Sequence, residues 1–272
     1  MDDGGKRPVK RPYGSPLWLH PDDDLAPNRP GETLRGEREA GPGVLRRGLD
    51  RLLGRPAAAA ERRDRLTGEM VMGAALDGLA PGGWRTVHSI LLPGHETLAH
   101  LTVGPGGVFS FYTACHPRAR IWAGADADAG AGADAGAGGA GLADAGAGAA
   151  RTGKPDRAPD DADDADDADG PPGPEMVRIG RRRTEPYLRY ARRLARRAAL
   201  ALSTGSGVPV PVEPVLALVA AGQVRVSPAL RDVHVLCEHD IRAFGGRGGV
   251  LKPETVETLH GVARDRRSWL KV

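Results

Sequence analysis

Residues 181–197 concentrate eight arginines in seventeen positions: Arg181, Arg182, Arg183, Arg189, Arg192, Arg193, Arg196 and Arg197. Guanidinium groups fork onto phosphate oxygens, so this density predicts salt-dependent, sequence-blind binding of DNA or RNA. A solvated helix face in an Arg-rich chain accounts for the same residues equally well. Tyr187 and Tyr190 add rings that could stack on bases, although at helical spacing such rings more often pack on a core. Lys6–Pro12, KRPVKRP, is a second basic stretch.

Other groupings carry less. His95, Glu96 and His100 superficially resemble the zinc set HExxH. That chemistry needs two histidines four apart on one helix face. The spacing is five, across a strand start, and no zinc or other metal site is predicted. Cys115 and His116 are neighbours on an expected strand, point to opposite faces and cannot form a nucleophile–base dyad. Asp160–Asp169 is a flexible acidic repeat without cage geometry. Weak ion binding, or competition with nucleic acid for the Arg surface, is the most it offers.

The elements that would position these groups read clearly in places. Ala57–Leu79 is predicted as a helix with a stripe of Leu66, Met70, Gly73, Ala74 and Leu76–Asp77, closed by Pro81-Gly82-Gly83. Trp84–Leu92, Leu98–Val103 and Val108–Cys115 read as strands, the last two joined by the Gly104–Gly107 turn. Arg118–Ala123 is a fourth strand, and Met176–Ile179 is its expected partner across a low-complexity insert. Long loops add little closure entropy, because the cost grows with the logarithm of length. Glu185–Leu202 reads as a helix whose buried stripe is Leu188, Ala191, Ala195, Ala198 and Leu202. Strands follow at Val215–Val219, Gln223–Val226 and Asp232–Cys237. A last helix starts at Pro253 with the stripe Val256, Leu259, Val262 and Ala263. Strands flanked by helices give a mixed α/β domain.

The stretch Thr97–Ala114, TLAHLTVGPGGVFSFYTA, is similar to the core hairpin of the nuclease-related domain (NERD) family. Gly68-Glu69 falls where that family has a Gly-Glu pair in a helix, and Ala99-His100 where it has Asp-His. Val103–Gly107 resembles its VGP-G turn, and Val108-Phe109 its Gly-Val-Phe strand start. Gly180-Arg181-Arg182, Pro186-Tyr187, Val212–Val219 and Trp269 resemble its second half, so the likeness spans Arg62–Ala123 and Met176–Val272. It implies a restriction-endonuclease-like core: a central sheet flanked by helices. It also implies a metal site of two carboxylates and a lysine, the second carboxylate and the lysine spaced Glu-x-Lys. Two strand residues with that spacing share a face. In this chain the Asp position is Ala99 and the Glu-x-Lys positions are Tyr112 and Ala114, leaving Glu69 alone. Loss of a metal ligand and the lysine together removes many orders of magnitude of rate.

The leading expectation is therefore a nuclease-related domain without cleavage that binds, at most, nucleic acid. Its vestigial site is Glu69, Ala99, His100, Tyr112 and Ala114, and no cofactor is expected. One alternative is a divergent nuclease using Mg²⁺ or Mn²⁺ held by Glu69 with Glu96 or His100. Another is a protein-interaction scaffold whose partners the sequence does not name. Taken alone, Glu69 reads as a solvated helix residue and His100 as a packed, hydrogen-bonded histidine.

Charge and composition set the frame. Residues 124–175 hold thirteen acids against three bases, so the remainder of this +3 chain carries +13. Low apolar content and like charge predict disorder for residues 124–175, and Pro-, Gly- and charge-rich composition does so for residues 1–56. The folded domain is expected in two parts, residues 57–123 and 176–272. Cys115 and Cys237 give no disulfide framework or metal spacing, which suits a reducing, cytoplasmic setting. Neither a secretory leader nor a membrane span is expected.

Overall fold

The computed structural model of the chain describes residues 19–39, 56–124, 175–181 and 183–272. The fold is mixed α/β, with two mixed sheets flanked by helices. The first is five-stranded, in the order β1 (Arg85–Leu92), β2 (Glu96–Gly104), β3 (Gly107–Cys115), β7 (Glu213–Val219) and β9 (His234–Cys237). The second is four-stranded: β6 (Arg183–Glu185), β5 (Val177–Ile179), β4 (Arg120–Ala123) and β8 (Gln223–Val226). The resemblance drawn from the hairpin implies one central sheet. The division into two arises at a shared bend.

Strands β3 and β7 run parallel, and so do β4 and β8. The chain passes from β3 to β4 through Arg118 at φ 59°, and from β7 to β8 through Ala220 at φ 57°. Left-handed backbone at the same level of two paired strands turns both together. Backbone bonds from His116 to Val219 and from Arg118 to Ala220 hold the corner. Strands β4 and β5 pair antiparallel at Ile121–Ile179 and Ala123–Val177, as their short apolar patterns predict.

Helix α2 (Pro56–Asp77) covers one face of the large sheet, packing Met72 and Leu76 with Trp84, Phe109, Phe111 and Phe244. Of its expected stripe, Gly73 and Leu76 are buried, while Met70 is 45% exposed and Ala74 is exposed; Gly68, Glu69 and Met72 lie inside as well. Helix α3 (Tyr187–Ser206) covers the other face. Its predicted stripe Leu188, Ala191, Ala195, Ala198 and Leu202 is fully buried. The short helix α4 (Ile241–Phe244) joins the α2 side, and α5 (Pro253–Arg264) packs Val256, Leu259 and Ala263 beside α3. Trp269 closes that core, its indole N–H donating to the Ala263 carbonyl.

Residues 19–39, which fall within the segment 1–56, are described and pack on the domain. Helix α1 (Glu32–Glu39) and the segment before it lie on the domain, burying Leu25 and Leu34. Asp24 pairs with Arg264, and Asn28 donates to the His88 and Ser89 carbonyls of edge strand β1. The remainder of residues 1–56, up to 55, and nearly all of the expected insert lie outside the described residues.

Candidate functional site

The β2–β3 ladder runs from Gly104–Gly107 to His100–Phe111 and stops. Beyond it β2 continues on β1 through Leu98–Glu96, while β3 continues on β7 through Tyr112–Cys115. The two strands therefore part in a fork, and Ala99 and Tyr112 are the first residues past the split. Helix α2 lies across one side of it. A Cβ on Gly68 would stand 2.9 Å from Cys115 Cβ, and one on Gly73 3.4 Å from His100 Cε1. The first is too close for a side chain, so the sheet requires glycine at position 68, while the second is ordinary contact; Glu69, beside Gly68, is buried to 1% exposure. Its Oε1 lies 3.5 Å from Arg65 Nε, one turn earlier. Glu69 is thus a buried, charge-paired residue rather than a solvated one.

His100 is fully buried, and its Nδ1 lies 2.8 Å from His88 Nδ1. His88 Nε2 in turn lies 2.9 Å from Asp77 Oδ1. Burial, then the charge His88 would carry, holds the His100 imidazole well below the usual histidine range. Among the described residues His100 Nε2 and Thr113 Oγ1 have no hydrogen-bond partner.

Tyr112 turns toward α3, where its ring meets Tyr187 at 5.3 Å and Tyr190 at 5.7 Å. Burial pushes its phenol up to about 12. Ala114 is buried on the same strand face. Tyr187 stacks on His116 and shares a 3.0 Å hydrogen bond with its Nε2. Its role is in the core, away from any incoming base. Cys115 packs with the α2 cluster while His116 lies on Tyr187, so the two form no dyad.

The Arg-rich segment is largely engaged within the domain. Arg183 pairs with Glu61 and Glu185, and Arg192 with Asp232 through two hydrogen bonds. Arg193 and Arg197 both pair with Glu96, and Arg197 also donates to the Pro93 and Val272 carbonyls. Arg193 lies over the Tyr190 ring at 5.0 Å and Arg189 at 5.9 Å. Among the described residues Arg181, Arg189 and Arg196 make no ion pair, and all three are exposed. Arg182 lies outside the described residues. Ion pairing with distant Glu96 and Asp232 was invisible in the local pattern.

Mg²⁺ or Mn²⁺ does not fit the fork. Magnesium needs one or two carboxylates open to the substrate's own oxygens. Glu69 is enclosed and faces Arg65. Glu96 is held by arginines of α3, the helix on the other face of the sheet. No group of three His, Cys, Asp or Glu donors at metal spacing includes Glu69, Glu96 or His100 among the described residues. His95, in the turn before β2 at φ 60°, does not join them.

One group the sequence reading passed over does converge: Cys237, His239 and Asp240, whose donor atoms all lie within 4.8 Å of one another. The run Cys-Glu-His-Asp at the end of a strand was the available signal.

No protein-family model matches the chain, and neither a curated protein nor a solved structure matches it.

Proposed function

We propose that this chain is a nuclease-related domain that has lost metal-dependent cleavage and keeps a weak, sequence-blind contact with DNA or RNA along α3. The observation that carries the reading is the fork. The hairpin motif puts its two strand carboxylate positions at Ala99 and Tyr112, and these flank the parting of β2 and β3. An aliphatic and an un-ionised phenol occupy them, so the fork has the shape of a site without its donors. The restriction-endonuclease-like core belongs to the same proposal. It is supported by the order helix, hairpin and parallel strand and by Glu69 on the helix over the fork.

Nucleic-acid binding rests on Arg189 and Arg196 of α3, with Arg181 in the turn before β6, because their neighbours are already paired. Each phosphate neutralised contributes a slope of about −0.9 in log affinity against log salt for duplex DNA. Three free arginines therefore predict a slope of roughly −3, well short of what eight would give. Titrating labelled duplex and single strands with protein at several salt concentrations tests this. A slope unchanged by joint replacement of Arg189 and Arg196 with alanine would move the reading to a protein-interaction scaffold.

We place the protein in the cytoplasm, in line with Cys115 and Cys237 both being free thiols. No helix among the described residues is long and apolar enough to cross a membrane.

A further inference from the structure

We propose that Cys237, His239 and Asp240 form a binding site for a single soft divalent cation, Zn²⁺ by chemical class, at the end of β9. The three donors are a thiol sulfur, an imidazole nitrogen and a carboxylate oxygen, mutually within 4.8 Å. Tetrahedral zinc with bonds near 2.0 Å to nitrogen or oxygen and 2.3 Å to sulfur sets neighbouring donors about 3.3–3.6 Å apart. His239 Nε2 and Asp240 Oδ1 already stand at 3.6 Å. That separation is too long for a good hydrogen bond and right for two ligands of one ion.

Local capping explains only part of this arrangement. The Cys237 N–H donates to Asp240 Oδ2 at 2.8 Å, and the Cys237 sulfur accepts from the Asp240 N–H. Those two bonds fix the thiol and one carboxylate oxygen. They leave Oδ1 and the imidazole turned toward each other with no role in the cap. The bond to Oδ2 is also what a metal-bound carboxylate uses to hold its ligating oxygen in place. Glu238 stands apart, its Oε1 accepting from the Ala220 N–H.

Position supports the assignment independently. Strands β3, β7 and β9 are parallel, and the cluster begins at Cys237, the carboxyl end of β9, beside that of β7. Ligands of parallel sheets collect at that end. His239 is 76% exposed and Asp240 45%, so an ion reaches them without opening the fold and small side-chain rotations complete the set. Three protein ligands leave a fourth position for water or an exogenous donor. A mixed sulfur, nitrogen and oxygen set selects zinc or a neighbouring late transition metal over Mg²⁺ and Ca²⁺. Binding exchanges the thiol proton for the metal and releases that proton to solvent.

Co²⁺ titration of the full chain tests the site, because only a thiolate ligand gives sulfur-to-cobalt charge transfer in the near ultraviolet. The expected result is one equivalent of Co²⁺ bound with that band, displaced by Zn²⁺. Cys237→Ser abolishes the band, and Cys115→Ser leaves it intact. His239→Ala, at an exposed position where folding is not at risk, weakens Co²⁺ binding at least tenfold. Absence of the band at saturating Co²⁺ overturns the proposal. So does a band that survives Cys237→Ser, or an affinity that His239→Ala leaves unchanged.

Discussion

The Nδ1 atoms of His88 and His100 face each other at 2.8 Å across the β1–β2 pair. Two neutral imidazoles can meet this way only if one donates. Asp77 accepts from His88 Nε2–H, so in neutral His88 the Nδ1 is the acceptor and His100 Nδ1–H is the donor. His100 Nε2 is then a bare, buried lone pair over which no partner stands among the described residues. Protonation of His100 would leave the chain Asp77–His88–His100 intact but place a charged, unpartnered N–H at this buried Nε2.

Acid should therefore unfold the domain through His100. An unfolded histidine takes up its proton near pH 6.5, whereas burial depresses the folded value. Below that pH the unfolded state binds more protons. The stability is complete above it and is lost as pH falls toward the folded value, by no more than about 1.4 kcal/mol per pH unit for one group. His116 and His260, also depressed mainly by burial, act in the same direction. Melting temperature should drop between pH 7 and pH 5. His100→Asn, which keeps a donor for His88, should show a smaller drop. An equal drop in both proteins would remove His100 from the account.

Gly73 tests whether residues 19–39 belong to the domain. A Cβ there would stand 2.3 Å from Pro30 Cγ. Overpacking of this kind costs roughly 1–3 kcal/mol. Gly73→Ala should lower the melting temperature of the full chain and expose residues 19–39 to protease. In a chain starting after residue 39 the same change should be far less costly, because alanine favours the helix by about 1 kcal/mol. Equal effects in both chains would contradict the docking of Pro30 on α2.

The bend between the sheets predicts a stabilising change. Ala220 holds φ 57° with its methyl group exposed. Left-handed backbone costs a non-glycine residue about 1–2 kcal/mol, partly offset by glycine's larger unfolded entropy. Ala220→Gly should raise stability by up to about 1 kcal/mol in a denaturant titration. A loss would mean the methyl group makes a contact that matters.

Freeing the arginines should strengthen binding. Glu96 holds both Arg193 and Arg197. Glu96→Gln should tighten nucleic-acid binding several-fold at low salt and steepen the salt slope by about one to two phosphate contacts. Unchanged affinity would show that α3 does not face the polyanion.

How far the sequence carries depends on where each constraint lies. The hairpin, α3 and the β4–β5 pairing were legible because period and turn chemistry are local. Leu188, Ala191 and Leu202 announce their own burial. The docked segment 19–39 was not legible, because it is anchored by two buried leucines and the distant pair Asp24–Arg264 amid Pro- and charge-rich residues. The fork was half legible. The residue types at Ala99 and Tyr112 could be read, but the end of the ladder between them could not. Glu69 looked like a solvated helix residue because its neighbour Gly68, which lets the helix approach the sheet, has no apolar side chain to mark that position as buried.

The central claim, a nuclease-related domain without cleavage, is tested most directly by incubating labelled single- and double-stranded DNA and RNA with the protein in Mg²⁺, Mn²⁺ or EDTA. The account predicts identical, intact substrate in all three. Metal-dependent cleavage that is abolished by Glu69→Ala would contradict it.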